Sequence, residues 1–495
     1  MCQVKKVGVG LLLAVSWQSV AWGQPENSPS SPAAGAPAAG SPTSRSPTSG
    51  ATKTPAVDSW QLAIRLAAAG KVAEAETALK KAIELDNELL DARRDLGSLY
   101  LQLGRFDEAI EEYQRIVKRL PTEASSHHDL GAALFRGGRI QPAINSLTEA
   151  VRLEPKRRQA RKDLGAILLQ HNKIMEASPL FAETARLFPK DAEAANDYGV
   201  VMTRVGKTEE AIKYFRRAID LNPKQVDAHY NLGLALISSW QLESAAAELS
   251  TAIEISPAYV DAYYNLGRVY FRMNRLPDAA EAFREVTKRR HDYTDAHYFL
   301  GRILVQQGQP RQAVASLTEA LRHTPGHSKS QLELGKTLNR MGRHAIAVSQ
   351  FASVIRAQPA NAEAHYEMAD ALAKTGRPKE AAAHFREALW LRPDTTQALN
   401  NLAWLRATHA DESVRDGAQA VKMATASLRT TQQQLAVVLD TLAAARAETG
   451  GFEAAVALQK QAIEIAKARN ARPLVEMFSA RLSSYENKQP YRQEK

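Results

Sequence analysis

A pattern of 34 residues repeats from Ala56 to Thr395 without a single insertion or deletion. Its ten repeats begin at residues 56, 90, 124, 158, 192, 226, 260, 294, 328 and 362. Position 8 of every repeat is Gly or Ala, position 20 is always Ala, and position 32 is Pro in eight of them. A short repeat cannot bury its apolar face alone, so we expect neighbouring repeats to stack on one another as a solenoid.

Within each repeat the pattern predicts two helices. Apolar residues recur at helical spacing, as in Leu232 and Leu236 and again in Leu249 and Ile253. Small residues at positions 8 and 20 would let the two helices approach closely. A Gly or Asn near position 15, such as Gly104, supplies a left-handed turn between them, and the proline ends the second helix. A hydrophobic content of 44% with only 6% aromatic residues also favours an all-α chain.

This combination of a small residue, an alanine, a large apolar residue and a closing proline resembles the tetratricopeptide-repeat family. In the repeat that begins at residue 226 it stands as DAHYNLGLAL, followed by Ala245, Leu249, Ala252 and Pro257. The resemblance covers roughly Val57 to Tyr485. It implies an all-α fold, a right-handed α-solenoid of stacked helix-turn-helix repeats. It also implies a concave groove for partner peptides, lined by positions 2, 6, 9 and 13 of the first helices.

Five segments are expected along the chain: a signal peptide at 1–23, a disordered Pro/Ser/Ala-rich linker at 24–55, the ten repeats at 56–395, two divergent repeat-like helix pairs at 396–470, and a capping helix with a polar tail at 471–495. Lys5 and Lys6 precede an apolar run from Val7 to Val15, which is typical of a cleaved signal. Seven prolines among small residues keep the linker from burying apolar surface. The sequence therefore predicts an exported protein, periplasmic or extracellular. It would associate with a membrane only if the signal stayed uncleaved.

Position 6 of the first helices forms a polar row. Its first members are Asp95, Asp129, Asp163, Asp197, Asn231 and Asn265. Carboxylates and amides that recur with the repeat could hydrogen-bond the backbone of an extended peptide. Because four of these six side chains are Asp, the row favours a basic segment of that peptide.

Positions 9 and 13 become cationic further along the chain. Their basic residues are Arg268, Arg272, Arg302, Lys336 and Arg340. A guanidinium group donates two parallel hydrogen bonds to a carboxylate or a phosphate, so this segment favours an anionic ligand. The same charges could equally be ordinary surface charges that pair between neighbouring repeats, and the sequence leaves both interpretations open.

No group of side chains predicts catalysis. The histidines at position 4 are explained by packing, and His323 and His327, which flank Pro325, have no evident third ligand. We therefore expect no metal and no cofactor. The motifs HExxH, GxxxxGK[ST], GxSxG and SxxK do not occur, and the short basic runs are weak evidence for nucleic acid. Cys2 lies within the predicted signal, so the mature chain would have no disulfide.

The function expected from these features is that of a non-catalytic protein–protein interaction scaffold or adaptor of the bacterial cell envelope. Its partner would be an extended peptide or another protein, and not a nucleic acid. The alternative is an accessory subunit that recruits an envelope glycosyltransferase or a secretion or outer-membrane assembly machine.

Overall fold

The structure is a computed structural model that describes residues 54–431 and 435–493. Over these residues it contains 25 α-helices, one short 3-10 turn and no β-strand, which confirms the predicted all-α class. The predicted signal peptide and almost all of the predicted linker lie outside the described residues. The linker boundary at residue 55 differs slightly, because Thr54 caps the first helix with its hydroxyl oxygen and Pro55 is the first helical residue.

The described chain divides into two compact units, one ending at Asn231 and the other beginning at Leu232. The helices of the first unit are α1 (Pro55–Ala68), α2 (Val72–Leu85), α3 (Leu90–Gln102), α4 (Phe106–Arg119), α5 (Ala124–Arg136), α6 (Ile140–Leu153), α7 (Arg158–Gln170), α8 (Ile174–Leu187), α9 (Ala192–Val205) and α10 (Thr208–Leu221). The boundary falls within α11 (Val226–Ser238).

The second unit continues the same alternation of helices. Its repeats contain α12 (Leu242–Ile255), α13 (Val260–Arg272), α14 (Leu276–Arg289), α15 (Thr294–Gln306), α16 (Pro310–His323), α17 (Ser328–Arg340), α18 (His344–Ala357), α19 (Ala362–Lys374) and α20 (Pro378–Leu391). The remaining helices are α21 (Thr396–Thr408), α22 (Gly417–Thr430), α23 (Leu435–Glu448), α24 (Phe452–Ala468) and α25 (Arg472–Glu486), with the 3-10 turn Glu412–Val414 after α21.

Within each unit, every helix packs against the next one along the chain, as in an α-solenoid. Neighbouring helices approach closely because position 8 carries no Cβ in most repeats. A Cβ added at Gly165 would lie 2.5 Å from the Phe181 ring, and one at Gly335 would lie 2.5 Å from the ring of Phe351. The alanine at position 20, such as Ala177, is fully buried. The small residues therefore act as the sequence predicted.

The turn between the two helices of a repeat uses one left-handed residue. Position 15 has a positive φ in all ten repeats: Gly70, Gly104, Gly138, Asn172, Gly206, Trp240, Asn274, Gly308, Gly342 and Gly376. This confirms the predicted left-handed turn. Trp240 differs from the others, because a bulky side chain at φ 60° is strained and this one is 75% exposed.

The histidines at position 4 form hydrogen bonds, which packing alone does not explain. Each lies with Nε2 2.9 or 3.0 Å from the carbonyl oxygen six residues earlier, and the pairs are His127–Pro121, His229–Pro223, His297–His291 and His365–Pro359. A carbonyl oxygen only accepts, so Nε2 carries the proton. The bond satisfies a carbonyl group in the turn that follows a second helix.

A buried polar network joins the last three helices. The Asp440 carboxylate on α23 accepts from Gln459 Nε2 on α24 at 2.8 Å and pairs with Arg481 on α25. Arg481 also lies with its guanidinium carbon 4.3 Å from the Trp404 ring centre. The chain after α25 then returns to α21, where Gln493 N donates to Thr408 O at 2.9 Å. None of the described helices has both the length and the apolar character that a membrane crossing requires.

Candidate functional site

Positions 6, 9 and 13 of the first helices hold the predicted ligand-binding residues, and we call these three positions together with position 5 the first-helix face. Its polar side chains follow the repeat because each first helix begins at the same point of the 34-residue period. The two compact units are described separately below.

In the first unit, the side chain at position 6 forms a hydrogen bond or an ion pair with the side chain at position 5 of the preceding repeat. These pairs are separated by 35 residues: Trp60 Nε1 donates to Asp95 Oδ2 at 2.7 Å, Arg94 Nε pairs with Asp129 Oδ2 at 3.2 Å, His128 Nε2 lies 2.8 Å from Asp163 Oδ2, and Asn231 Nδ2 donates to Asn196 Oδ1 at 3.0 Å. Asp163 is only 4% exposed. The predicted row is therefore engaged between neighbouring repeats.

Asp197 is the exception in this row, because the basic residue at position 5 of the preceding repeat, Lys162, pairs with Glu193 instead. Burial raises the pKa of Asp197 to about 7, and the negative charge of Glu193 adds to the effect. Burial also raises the pKa of Asp95 above its ordinary value. The row is thus less anionic near neutral pH than four aspartates suggest.

In the second unit, Asn265 lies in a local network. Its Nδ2 donates to the Asp261 carbonyl oxygen at 2.9 Å, and its Oδ1 accepts from Arg268 Nη1 at 3.2 Å. In the next repeat Phe299 stands at position 6, and its ring stacks on Phe283 with centres 5.0 Å apart. The polar row of the sequence is therefore replaced at this point by an aromatic side chain.

Arg268 and Arg302 lie on the aromatic residues around Phe299. The guanidinium carbon of Arg268 is 5.6 Å from the Tyr264 ring centre, and that of Arg302 is 4.9 Å from the Phe271 ring centre and 5.7 Å from that of Tyr298. Tyr264 and Phe271 each contact Phe299, with ring centres 6.2 and 5.6 Å apart. We call Arg268, Arg302 and these aromatic residues the arginine–aromatic platform.

Neither arginine of the platform has a carboxylate within ion-pair distance among the described residues. Asp295 forms its ion pair with His327, at 3.4 Å, and not with Arg268. His327 lowers the pKa of Asp295 most, and the charge of Arg268 adds to this effect. Both guanidinium groups are partly buried against aromatic rings and have no ion-pair partner among the described residues. They can therefore donate hydrogen bonds to a carboxylate or a phosphate of a ligand.

The other predicted basic residues differ from these two. Lys336 pairs with Glu363 at 3.0 Å and with Glu333 at 3.5 Å, and its charge is thus matched between repeats. Arg272 is exposed and lies 5.5 Å from the Trp240 ring centre. Arg340 is exposed at the end of α17. The two interpretations left open by the sequence therefore apply to different residues, since Lys336 pairs between repeats while Arg268 and Arg302 do not.

A cavity of about 930 Å³ lies toward the end of the second unit, and no sequence pattern predicted it. Its walls include Asp370, Lys374, Asn401, Trp404 and Gln493. Four of these occupy positions 6, 9 or 13 of first helices, so the cavity continues the first-helix face. Gln493 comes from the returning tail, which no repeat pattern predicts.

One group of side chains has the composition of a metal site. The ligand atoms of His297, Glu319 and His323 all lie within 4.8 Å of one another. The sequence around His323 and His327 did not predict this group, because His297 is on the other helix of the repeat and Glu319 is one turn before His323.

Sequence models of the tetratricopeptide repeat match residues 66–134, 128–192, 264–328, 298–345 and 332–398, and a further TPR repeat model matches 203–238 and 241–274. Together they span well over half of the chain. No curated protein sequence matches the chain significantly.

Solved structures with a similar fold include YrrB, described as a TPR protein with an unusual peptide-binding site, at 28% identity and a TM-score of 0.35 over 38% of this chain and 96% of that one. PilF of Pseudomonas aeruginosa is 19% identical, with a TM-score of 0.39 over 43% of this chain and 96% of its own. A chain of the APC/C hetero-tetramer Cut9–Hcn1 is 13% identical, with a TM-score of 0.39 over 79% and 90%. Because family models match most of its length, this chain belongs to the tetratricopeptide-repeat family, whose members are typically scaffolds for protein interaction.

Proposed function

We propose that this protein is a non-catalytic scaffold of the bacterial cell envelope that binds an extended segment of a partner protein along its first-helix face. The observation that carries the proposal is the arginine–aromatic platform, where Arg268 and Arg302 are held on aromatic rings without a carboxylate partner among the described residues. Membership of the family supports a general role in protein binding, and the platform is the surface that we propose for it.

The chemistry of the platform defines the segment that it would bind. Arginine over an aromatic ring keeps its donors available at the ring edge while the ring excludes water from one side of the charge. Arg and Tyr are enriched among the few interface residues whose truncation costs about 2 kcal/mol or more of binding energy. The preferred segment therefore carries a carboxylate beside an apolar or aromatic side chain.

The location in the envelope rests on the sequence alone. Lys5, Lys6 and the apolar run that follows have the form of an export signal, and the proline-rich segment after it would separate the repeats from a membrane or from the cleavage point. Export places the first-helix face among envelope or extracellular proteins.

The test is affinity capture from envelope extracts with the chain from residue 24 onward. The native chain is compared with the double variant Arg268→Glu/Arg302→Glu. The control is Arg284→Glu/Arg311→Glu, which makes the same change of charge at two exposed arginines of the second helices α14 and α16.

A partner that is retained by the control and lost by the platform variant supports the proposal. If that partner is a glycosyltransferase or a secretion component, the alternative role as an accessory subunit is favoured. Retention of the same partner by both variants contradicts binding at the platform, and turnover of a substrate by the purified chain contradicts the scaffold itself.

A further inference from the structure

The repeat at residues 294–327 brings two histidines and a glutamate together. His297 is at the start of α15, and Glu319 and His323 are one turn apart at the end of α16. Glu319 Oε1 and His323 Nε2 are 3.2 Å apart. Two ligand atoms that each lie about 2.0–2.1 Å from a tetrahedral Zn²⁺ are roughly 3.3 Å apart, so this pair already has the spacing of two zinc ligands.

His297 is oriented for the same role. Its Nε2 donates to the carbonyl oxygen of His291 at 2.9 Å, which leaves Nδ1 with a free lone pair. Histidine ligands of metals usually donate their second nitrogen to such a carbonyl or to a carboxylate, and the bond fixes the ring. The rings of His297 and His323 are nearly parallel, with centres 6.0 Å apart and planes 21° apart.

Other repeats carry only part of this group of side chains. The three residues occupy positions 4, 26 and 30 of the repeat. Two other repeats pair a position-4 histidine with a glutamate at position 26, namely His127 with Glu149 and His365 with Glu387. Position 30 in those repeats is Leu153 and Leu391. Of these three repeats, only the one at 294–327 has a histidine, His323, at position 30.

A cation, Arg322, already contacts two of these three side chains. Arg322 Nη2 lies 2.6 Å from Glu319 Oε1 and 3.0 Å from His323 Nε2. The Arg322 side chain is 64% exposed, so it can move into solvent without losing a buried contact. An exposed ion pair of this kind contributes little to stability, so a metal ion can readily replace Arg322.

We propose that His297, Glu319 and His323 form a Zn²⁺ site with three protein ligands, and that Arg322 occupies it in the metal-free protein. Two imidazoles and one carboxylate are a known donor set for zinc with a fourth position left open. That position would be taken by water or by a side chain of a bound protein. This inference does not depend on the platform or on the proposed partner.

The experiment titrates Zn²⁺ into the purified, metal-free protein by calorimetry. We expect one site per chain, and His323→Leu should weaken its affinity at least tenfold. This variant introduces the residue that two sibling repeats carry at position 30, so the fold should be retained, as checked by circular dichroism. Arg322→Ala should tighten binding several-fold, because it removes the competing cation.

His384→Leu is the matched control. His384 Nδ1 lies 2.9 Å from His365 Nδ1, yet neither histidine belongs to a group of three possible metal ligands among the described residues. Its replacement should leave the affinity for Zn²⁺ unchanged. The proposal is overturned if the native protein binds no zinc, if His323→Leu binds it as tightly as the native protein, or if His384→Leu loses the site.

Discussion

At the scale of single residues, burial between repeats changes what a charged side chain contributes. Asp197 forms no ion pair within the part of the chain that the structure describes, since Lys162 pairs with Glu193. Its pKa is about 7 in the folded protein and about 3.9 in an unfolded chain. Between these values the folded state holds a proton that the unfolded state has released. The contribution of Asp197 to stability therefore falls as the pH rises from about 4 to 7.

We expect Asp197→Asn to stabilise the protein at pH 8 and to have little effect near pH 4. One pKa unit corresponds to about 1.4 kcal/mol, so the gain at pH 8 should be roughly 1–4 kcal/mol. Urea unfolding at the two pH values measures it. Asp220→Asn, at an exposed position of α10, is the control and should change neither midpoint. Equal effects of Asp197→Asn at both pH values would show that Asp197 is already ionised in the folded state.

The contact beneath position 8 gives a second prediction at this scale. A methyl group at Gly165 would lie 2.5 Å from the Phe181 ring, and Phe181 is 2% exposed, so the ring has little room to move. Gly165→Ala should destabilise the protein by about 1–3 kcal/mol through overpacking. Gly326→Ala, with open space around its Cβ, should cost nothing. Thermal unfolding of both variants separates the steric effect from any general effect of replacing glycine.

At the scale of helices, the turn between α11 and α12 carries strain that the other turns avoid. Trp240 has φ 60°, where the other repeats use Gly or Asn. The left-handed conformation costs a residue other than Gly, Asn or Asp about 1–2 kcal/mol. The contact of Arg272 with the exposed Trp240 ring returns only about 0.5–1 kcal/mol. The strain is therefore the larger effect.

Trp240→Gly should accordingly raise the stability of the protein by up to about 1 kcal/mol. The opposite change, Gly206→Ala, puts a side chain at φ 83° and should lower it by a similar amount. Chemical denaturation followed by circular dichroism measures both. A loss of stability in Trp240→Gly would mean that the ring contributes more to packing than its 75% exposure indicates.

The last three helices depend on one buried ion pair. Asp440 is 2% exposed, and its pKa is raised to about 6 by burial although Arg481 and Gln459 oppose the shift. Arg481→Met leaves this carboxylate without its cation and should cost about 3–5 kcal/mol. The double variant Asp440→Leu/Arg481→Met should recover most of that loss, because Gln459 keeps its 3.1 Å bond to the Phe478 carbonyl oxygen. Failure of the double variant to recover would point to packing of Arg481 on Trp404 as the dominant effect.

At the scale of the whole molecule, the strict period made the helices predictable. Helix starts, the left-handed turns and the close contacts at positions 8 and 20 all depend on residues within one repeat, where sequence spacing determines which side chains meet. The bonds of position 6 were not predictable in the same way. Asp129 meets Arg94 because two repeats stack with a particular offset, and spacing within a helix does not show that offset.

The candidate site was predictable only in part. The period placed Arg268 and Arg302 on one face. Whether a carboxylate pairs with them depends on the three-dimensional contacts of the nearby acidic residues, and Asp295 pairs with His327 instead. The cavity beside Trp404 depends on the tail returning to α21, which has no sequence signature. His297 and His323 lie on different helices, so their proximity also appears only in three dimensions.

The central claim is that partner proteins bind to the first helices of the repeats. Hydrogen–deuterium exchange of the protein with and without a captured partner tests it most directly. The account predicts that the partner slows exchange in α13 and α15, which carry Arg268 and Arg302, and leaves α14 and α16 unchanged. Protection confined to the second helices α14 and α16, with none in α13 and α15, would contradict it.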